Sequence, residues 1–249
     1  MATATQLSPP DSVEILGVAV DCLTMPQTLA ILESFIASVE PHVVVTADSS
    51  GLVIAESDPE FKQILQQADL VTPDSAGILW AAKRKKRPIP ERVSGVDLVG
   101  ALCALSADKG YRIFLLGAAP GVAEVAAEKL RLKYPGCHIV GTRHGYFPPE
   151  SDEVVAHEVA AFKPQILLVA MGIPRQEKFI VKTRPIIGAA VAMGVGGSLD
   201  VFSGRAKRAP KWVQKVSMEW LWRVLLNPRK FSKVKTLPVF LLRVLREGR

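Results

Sequence analysis

Arg112 to Leu132 reads RIFLLGAAPGVAEVAAEKLRL. In the run Arg112 to Leu116, every residue after the arginine is aliphatic or aromatic without helical spacing, as in a strand buried on both faces. From Val122 to Leu132 the apolar positions recur at 3.6-residue intervals, as on one face of a helix. Between them, Gly117-Ala118-Ala119-Pro120-Gly121 is a small-residue turn. Strand, tight turn and helix form the repeating unit of a parallel α/β sheet.

The same alternation runs outward in both directions. Strands are predicted at Val13–Val20, Val43–Thr46, Asp69–Thr72, His138–Gly141, Ile166–Met171 and Ala189–Val195, and helices at Met25–Val39, Pro59–Gln67 and Asp152–Phe162. The predicted class is α/β: a mainly parallel, Rossmann-like sheet with helices on both faces, followed by a helical basic C-terminal appendage. No internal repeat or low-complexity linker interrupts it. The one composition shift, near Gly204, divides an α/β domain (1–204) from the appendage (205–249).

The 249 residues are 49% apolar, enough for one large core. No apolar run reaches the roughly 18–20 residues of a spanning helix, and Met1 to Asp11 has no basic head or apolar signal core. A cytoplasmic protein is expected. Cys22, Cys103 and Cys137 are odd in number and widely spaced, as for reduced thiols rather than a disulfide. The net charge of +7 is unevenly placed. Residues 205–249 hold 13 Lys or Arg against 2 acids, whereas residues 1–204 hold 18 basic and 22 acidic side chains.

Parallel sheets bind ligands beyond the carboxyl ends of their strands. Those ends read Thr46-Ala47-Asp48-Ser49, Thr72-Pro73-Asp74-Ser75, Gly117 to Gly121, Gly172 to Glu177 and Gly194 to Asp200. The Gly117–Gly121 turn lacks both G-x-G-x-x-G and Gly-Lys-Ser/Thr, so it is neither a dinucleotide fingerprint nor a P-loop. Two readings stand for it: a phosphate-approaching turn, or a plain strand-to-helix turn with Pro120 at the first helical position. Asp74 likewise reads as a helix N-cap or as a general base; an ordinary carboxylate titrates near about 3.9, so a base there needs burial or a like charge. The run Lys83-Arg84-Lys85-Lys86-Arg87 reads as a solvated face. Arg92, just before a helix entry, has two readings: one more solvated charge of the same run, or a guanidinium aimed at a diphosphate.

His42, His138, His144 and His157 show no ligand spacing and there is no Asp-x-Asp pair, so neither a metal nor another cofactor is predicted. No Gly-x-Ser-x-Gly elbow is present. In the tail, Trp212, Val213, Val216, Trp220, Leu221, Val224 and Leu225 form one helical stripe, and Lys211, Lys215, Glu219 and Arg223 another. Tryptophan and basic residues beside an apolar face suit an anionic membrane surface; the plain alternative is a helix packed on the domain or on another subunit. No nucleic-acid module accompanies the charge.

Read in order, Asp58-Pro59-Glu60-Phe61, Ala68 to Asp74, Pro90 to Leu98, Leu116 to Gly121, His144-Gly145-Tyr146-Phe147, Pro174 to Lys178, Gly196 to Asp200 and Arg208 to Trp212 resemble the WecG/TagA/CpsF family of bacterial glycosyltransferases, from about Val13 to about Lys235. The resemblance implies inverting transfer of an N-acetylhexosamine-type sugar, N-acetylmannosamine or its uronate, from a UDP-sugar donor to a polyprenyl-diphosphate-linked acceptor in cell-surface polysaccharide synthesis. The enzyme would be peripheral on the inner face of the plasma membrane. By residue, it implies Asp74 as base, Arg92 at the diphosphate, Gln176 in the active site and Asp200 near the nucleotide. Thr46, Asp48, Gly117, Ala118, Pro120, Gly121 and Gly197 would line the substrate site, with Arg223 and Arg229 on the lipid diphosphate. It further implies a homo-oligomer in equilibrium with monomer.

One position departs from the family pattern. Thr46-Ala47-Asp48 stands where the family shows Thr-x-Asn, which removes an amide donor and sets a second carboxylate near Asp74 as a like charge or a rival base. A non-catalytic nucleotide-sugar or membrane-surface module therefore remains the alternative. An oxidoreductase is disfavoured by the missing dinucleotide fingerprint.

Overall fold

The computed structural model describes residues 10–210, 213, 222 and 236–247. The chain opens on an antiparallel hairpin, β1 (Ser12–Ile15) and β2 (Val18–Asp21). The expected single strand Val13–Val20 is thus two, because Leu16 and Gly17 both take positive φ and reverse the chain. After α1 (Met25–Ser38) come β3 (His42–Ala47), α2 (Ser49–Ala55), α3 (Pro59–Gln67), β4 (Leu70–Pro73), α4 (Ala76–Arg84) and α5 (Gly95–Lys109). The second half runs β5 (Ile113–Gly117), α6 (Val122–Lys133), β6 (Ile139–Arg143), α7 (Asp152–Ala160), β7 (Ile166–Ala170), α8 (Arg175–Ile187), β8 (Val191–Gly194) and α9 (Ser198–Ser203). The last described helix is α10 (Thr236–Glu247).

The six strands β3 to β8 form one parallel sheet in the order β4-β3-β8-β7-β5-β6. Alternate residues of each strand enter opposite cores. Val43 and Val45, Phe114 and Leu116, and Leu167 and Val169 pack with α2, α3, α4, α7, α8 and α10. Val44, Ile113, Leu115, Ile166 and Leu168 pack with α1, α5, α6 and α9. The period-two pleat explains why these strands are apolar throughout. Since β4 is a sheet edge, its outward Val71 N–H needs a partner, and the Asp21 carboxylate accepts it at 2.8 Å. Burial pushes the Asp21 carboxyl up to about 6, against the lowering effect of that bond.

The connection after β3 leaves to the α2 face, and the one after the neighbouring β8 leaves to the α9 face. A crevice therefore opens between their carboxyl ends. The described C-terminal helix joins the core: Phe240 and Val244 of α10 are buried against α2 and α4. Burying Phe240 alone contributes on the order of 2–3 kcal/mol. Arg243 pairs with Glu56 at 3.3 Å and Lys85 with Glu247 at 2.9 Å along its flanks. No helix among the described residues is long and apolar enough to cross a membrane.

Candidate active site

The loops after β3 and β4 lie side by side because Ala47 and Pro73 are register partners. Asp48 is the N-cap of α2, its Oδ1 accepting the Gly51 N–H at 2.6 Å. This bond needs only an oxygen, so the carboxylate serves there as an asparagine would. Asp74 differs. Its N–H donates to Ala47 O at 2.9 Å, which prolongs the strand ladder by one residue and moves the helix start onward. The N-cap of α4 is Ser75, whose Oγ accepts from Ile78 N–H. Ser75 Oγ also meets Ser49 Oγ at 3.0 Å and accepts from Ser49 N–H at 3.2 Å, tying the two loops together. A side chain at Gly77 would strike Ser49 Oγ, its Cβ lying 2.1 Å away, so the link requires glycine there. The helix-cap reading of Asp74 is therefore corrected: Asp74, half-buried, stands at the carboxyl end of β4 while its neighbour caps the helix.

Arg92 reaches the same edge by a separate route. Val93 N–H donates to Pro73 O at 3.0 Å, docking the loop against the end of β4 just before α5 begins. Ser94 caps α5 through Asp97 N–H, and its hydroxyl donates to Asp97 Oδ2 at 2.5 Å. Both oxygens of Asp97 accept from Arg208, each at 2.7 Å, a fork that fastens the segment after α9 to the start of α5. Burial pushes the Asp97 carboxyl up, but Arg208, Ser94 and the nearby charge of Arg92 together hold it below its usual value. The helix start also covers Thr46: a Cβ on Gly95 would lie 3.5 Å from Thr46 Oγ1, which donates to Gly194 O at 2.9 Å and joins β3 to β8.

On the other side of the crevice Gln176 fixes the loops. It is 2% exposed; its Oε1 accepts from Gly172 and Gly196 N–H, both at 3.1 Å, while Nε2 donates to Glu177 Oε1 at 2.7 Å. One buried amide thus sets the turns after β7 and β8, and a Cβ on Gly194 would lie 2.4 Å from its nitrogen. Gln176 shapes the crevice from beneath rather than facing into it. Gly197 is exposed, with open space where a Cβ would stand, so the backbone there is accessible to a ligand. Asp200, in the first turn of α9, stands 3.9 Å from Arg205 Nε.

The Gly117–Gly121 turn is set by contact with β7: a Cβ on Gly117 would lie 2.4 Å from Ala170 O, to which Ala118 N–H donates at 2.8 Å. Ala118 itself is left-handed, φ 58°. Gly121 is the N-cap of α6, which starts at Val122, so Pro120 precedes the helix instead of occupying its first position. Pro120 and Gly121 are exposed at the mouth of the turn.

Thr46, Asp48, Asp74, Arg92, Gly117 to Gly121, Gln176, Gly197 and Asp200 thus all belong to one edge of one sheet. Arg223 and Arg229, and the tail stripe through Trp212 and Trp220 apart from Val213, which is buried, lie outside the described residues. Residue patterns alone missed the Ser49–Ser75 link, the Asp97–Arg208 fork and buried Glu177. Asp97 and Arg208 stand in motifs 111 positions apart, and only the fold brings them together. No group of three His, Cys, Asp or Glu among the described residues has the arrangement of a metal site.

Residues 13–249 match the glycosyl transferase WecG/TagA/CpsF family. The chain belongs to that family. Relatives include proteins named N-acetylglucosaminyldiphosphoundecaprenol N-acetyl-beta-D-mannosaminyltransferase from Staphylococcus aureus strains NCTC 8325 / PS 47 and COL, each 32% identical over 249 residues, covering 99% of this chain and 97% of the relative. The protein of that name from strain MRSA252 is similar to the same extent. As a WecG/TagA/CpsF member the protein is a glycosyltransferase, which sets aside both the non-catalytic module and the oxidoreductase.

Proposed function

We propose that the protein transfers an N-acetylhexosamine, N-acetylmannosamine or its uronate, from a UDP-sugar to a polyprenyl-diphosphate-linked sugar acceptor, with inversion and without a metal ion. The observation that carries this reading is the division of labour at the two neighbouring strand ends: Asp48 and Ser75 are the N-caps of their helices, and Asp74 stands between the end of β4 and the capping serine. The relatives' printed name, a mannosaminyltransferase acting on N-acetylglucosaminyldiphosphoundecaprenol, supports the acceptor class.

In this reaction Asp74 takes the proton of the acceptor hydroxyl as its oxygen attacks the anomeric carbon from the face opposite the diphosphate. The bond from that carbon to the diphosphate oxygen breaks and UDP leaves with the bonding pair. Arg92 and the backbone N–H groups of the Gly117–Gly121 turn meet the charge growing on UDP, commonly the larger contribution to such a barrier. Gln176 holds the two turns that shape the donor side, and Thr46, Gly197 and Asp200 line it. Asp48 acts through α2, as a positioning residue. Arg223 and Arg229 engage the lipid diphosphate, and the basic tail holds the enzyme at the inner membrane face, where it self-associates. The test is UDP release from UDP-N-acetylmannosamine on a short-chain polyprenyl-diphosphate N-acetylglucosamine acceptor, with and without EDTA. Acceptor-dependent release that EDTA leaves unchanged is expected; release independent of the acceptor overturns the acceptor assignment, and loss with EDTA overturns metal independence.

A further inference from the structure

Helices α4 and α10 lie side by side and run in the same direction. A Cβ on Gly77, in the first turn of α4, would lie 3.4 Å from Phe240 near the start of α10, and Lys85 just beyond α4 pairs with Glu247 at the end of α10. Their inward residues, Ile78, Ala81 and Ala82 on one and Phe240 and Val244 on the other, enter the same core. Their outward residues therefore make one continuous surface.

That surface combines two features that soluble faces keep apart. It is apolar: Trp80, Val239, Leu242 and Leu245 are 38%, 40%, 56% and 39% exposed. It is also cationic, since Lys83, Arg84, Lys86 and Arg246 are exposed and none forms an ion pair among the described residues. Trp80, Lys83 and Arg84 line one shallow depression. Acids near the face, Glu56 and Glu247, are already neutralised by Arg243 and Lys85. An indole and aliphatic side chains flanked by uncompensated cations match a headgroup boundary, where the apolar groups leave water and each cation near anionic lipid adds up to about 1 kcal/mol.

We propose that the outward face of α4 and α10 docks on an anionic bilayer, with Trp80, Leu242 and Leu245 seated among the headgroups and Lys83, Arg84, Lys86 and Arg246 against their phosphates. The run Lys83 to Arg87 is then a lipid contact and not only a solvated face. The orientation follows from the fold: α4 starts one residue after Ser75, so docking this face brings the edge that carries Asp74 to the membrane plane. The inference rests on the lipid-linked acceptor proposed above for its purpose, while its evidence is the surface itself.

The experiment is co-sedimentation of the full chain with vesicles of phosphatidylglycerol and phosphatidylcholine, or of phosphatidylcholine alone. The wild-type chain is expected to bind the anionic vesicles. The double variant Lys83→Glu, Arg84→Glu should bind them at least about tenfold more weakly, as should Trp80→Ser combined with Leu242→Gln, each with an unchanged circular dichroism spectrum and unchanged turnover on a short-chain, micelle-free acceptor. Unchanged vesicle binding by both folded variants, or equal wild-type binding to neutral vesicles, overturns the proposal. Absence of turnover on the short-chain acceptor by wild type would instead count against the transfer reaction and leave the vesicle result standing.

Discussion

Asp48 and Asp74 are the same side chain at the same station on neighbouring strands, yet the fold uses them differently. Asp48 turns its carboxylate onto Gly51 N–H and starts α2. Asp74 gives its own N–H to Ala47 O, stays in the strand ladder, and hands the cap to Ser75. The difference teaches that a carboxylate after a strand is committed by one backbone bond and by whether the next residue can cap. It also resolves the departure from the family's Thr-x-Asn pattern, because the cap at position 48 uses an oxygen that aspartate and asparagine share.

With Asp74 as the base, the positive charge that meets the departing diphosphate matters as well. Arg92→Ala is expected to lower kcat/KM for UDP release by about 100-fold or more, with Arg92→Lys recovering part of it, since a fork that meets a diphosphate with two bonds becomes a single point charge. An Arg92→Ala enzyme with wild-type kcat/KM would remove the charge from the account. The caps predict a smaller, purely structural effect. Asp48→Ala and Ser75→Ala should each destabilise the fold by about 1 kcal/mol in urea unfolding, the second more because the Ser49 link is lost with it.

A third aspartate sharpens the contrast by its pH dependence. Asp21 accepts a strand-edge N–H in a site where burial dominates, and its folded value lies near 6 against an ordinary 3.8. The folded chain therefore binds this proton more tightly than the unfolded one. Its contribution is greatest below about pH 4 and is lost as pH rises through about 6. Asp21→Asn should flatten that slope and raise stability at pH 7 by about 1 kcal/mol, read as the urea midpoint at pH 4 and pH 7.

Much of this was legible in the residues. The parallel sheet followed from apolar runs separated by helical periods; Asp74 and the Gly117 turn stood at strand ends where parallel sheets gather ligands, and Arg92 stood at a helix entry. The hairpin at the N-terminus did not, because Leu16 takes a left-handed φ that a branched residue seldom adopts, and the alternation of Val13 to Val20 reads through it. Short α2 begins Ser-Ser-Gly and offers little helical signal, and Pro185 in the last turn of α8 disguises that helix. Gln176 was legible as following a strand end, but not as a buried residue. Its three hydrogen bonds depend on two glycine turns that only the sheet brings together.

The difference between the two aspartates is tested most directly by UDP release from Asp74→Asn and Asp48→Asn beside the wild-type chain, on the same lipid-linked acceptor. Asp74→Asn keeps the shape but cannot take a proton, and its kcat should fall by about 10²–10⁴-fold. Asp48→Asn keeps the cap oxygen and should stay within about threefold of wild type. Turnover retained by Asp74→Asn, or an equal collapse in both variants, would contradict the account.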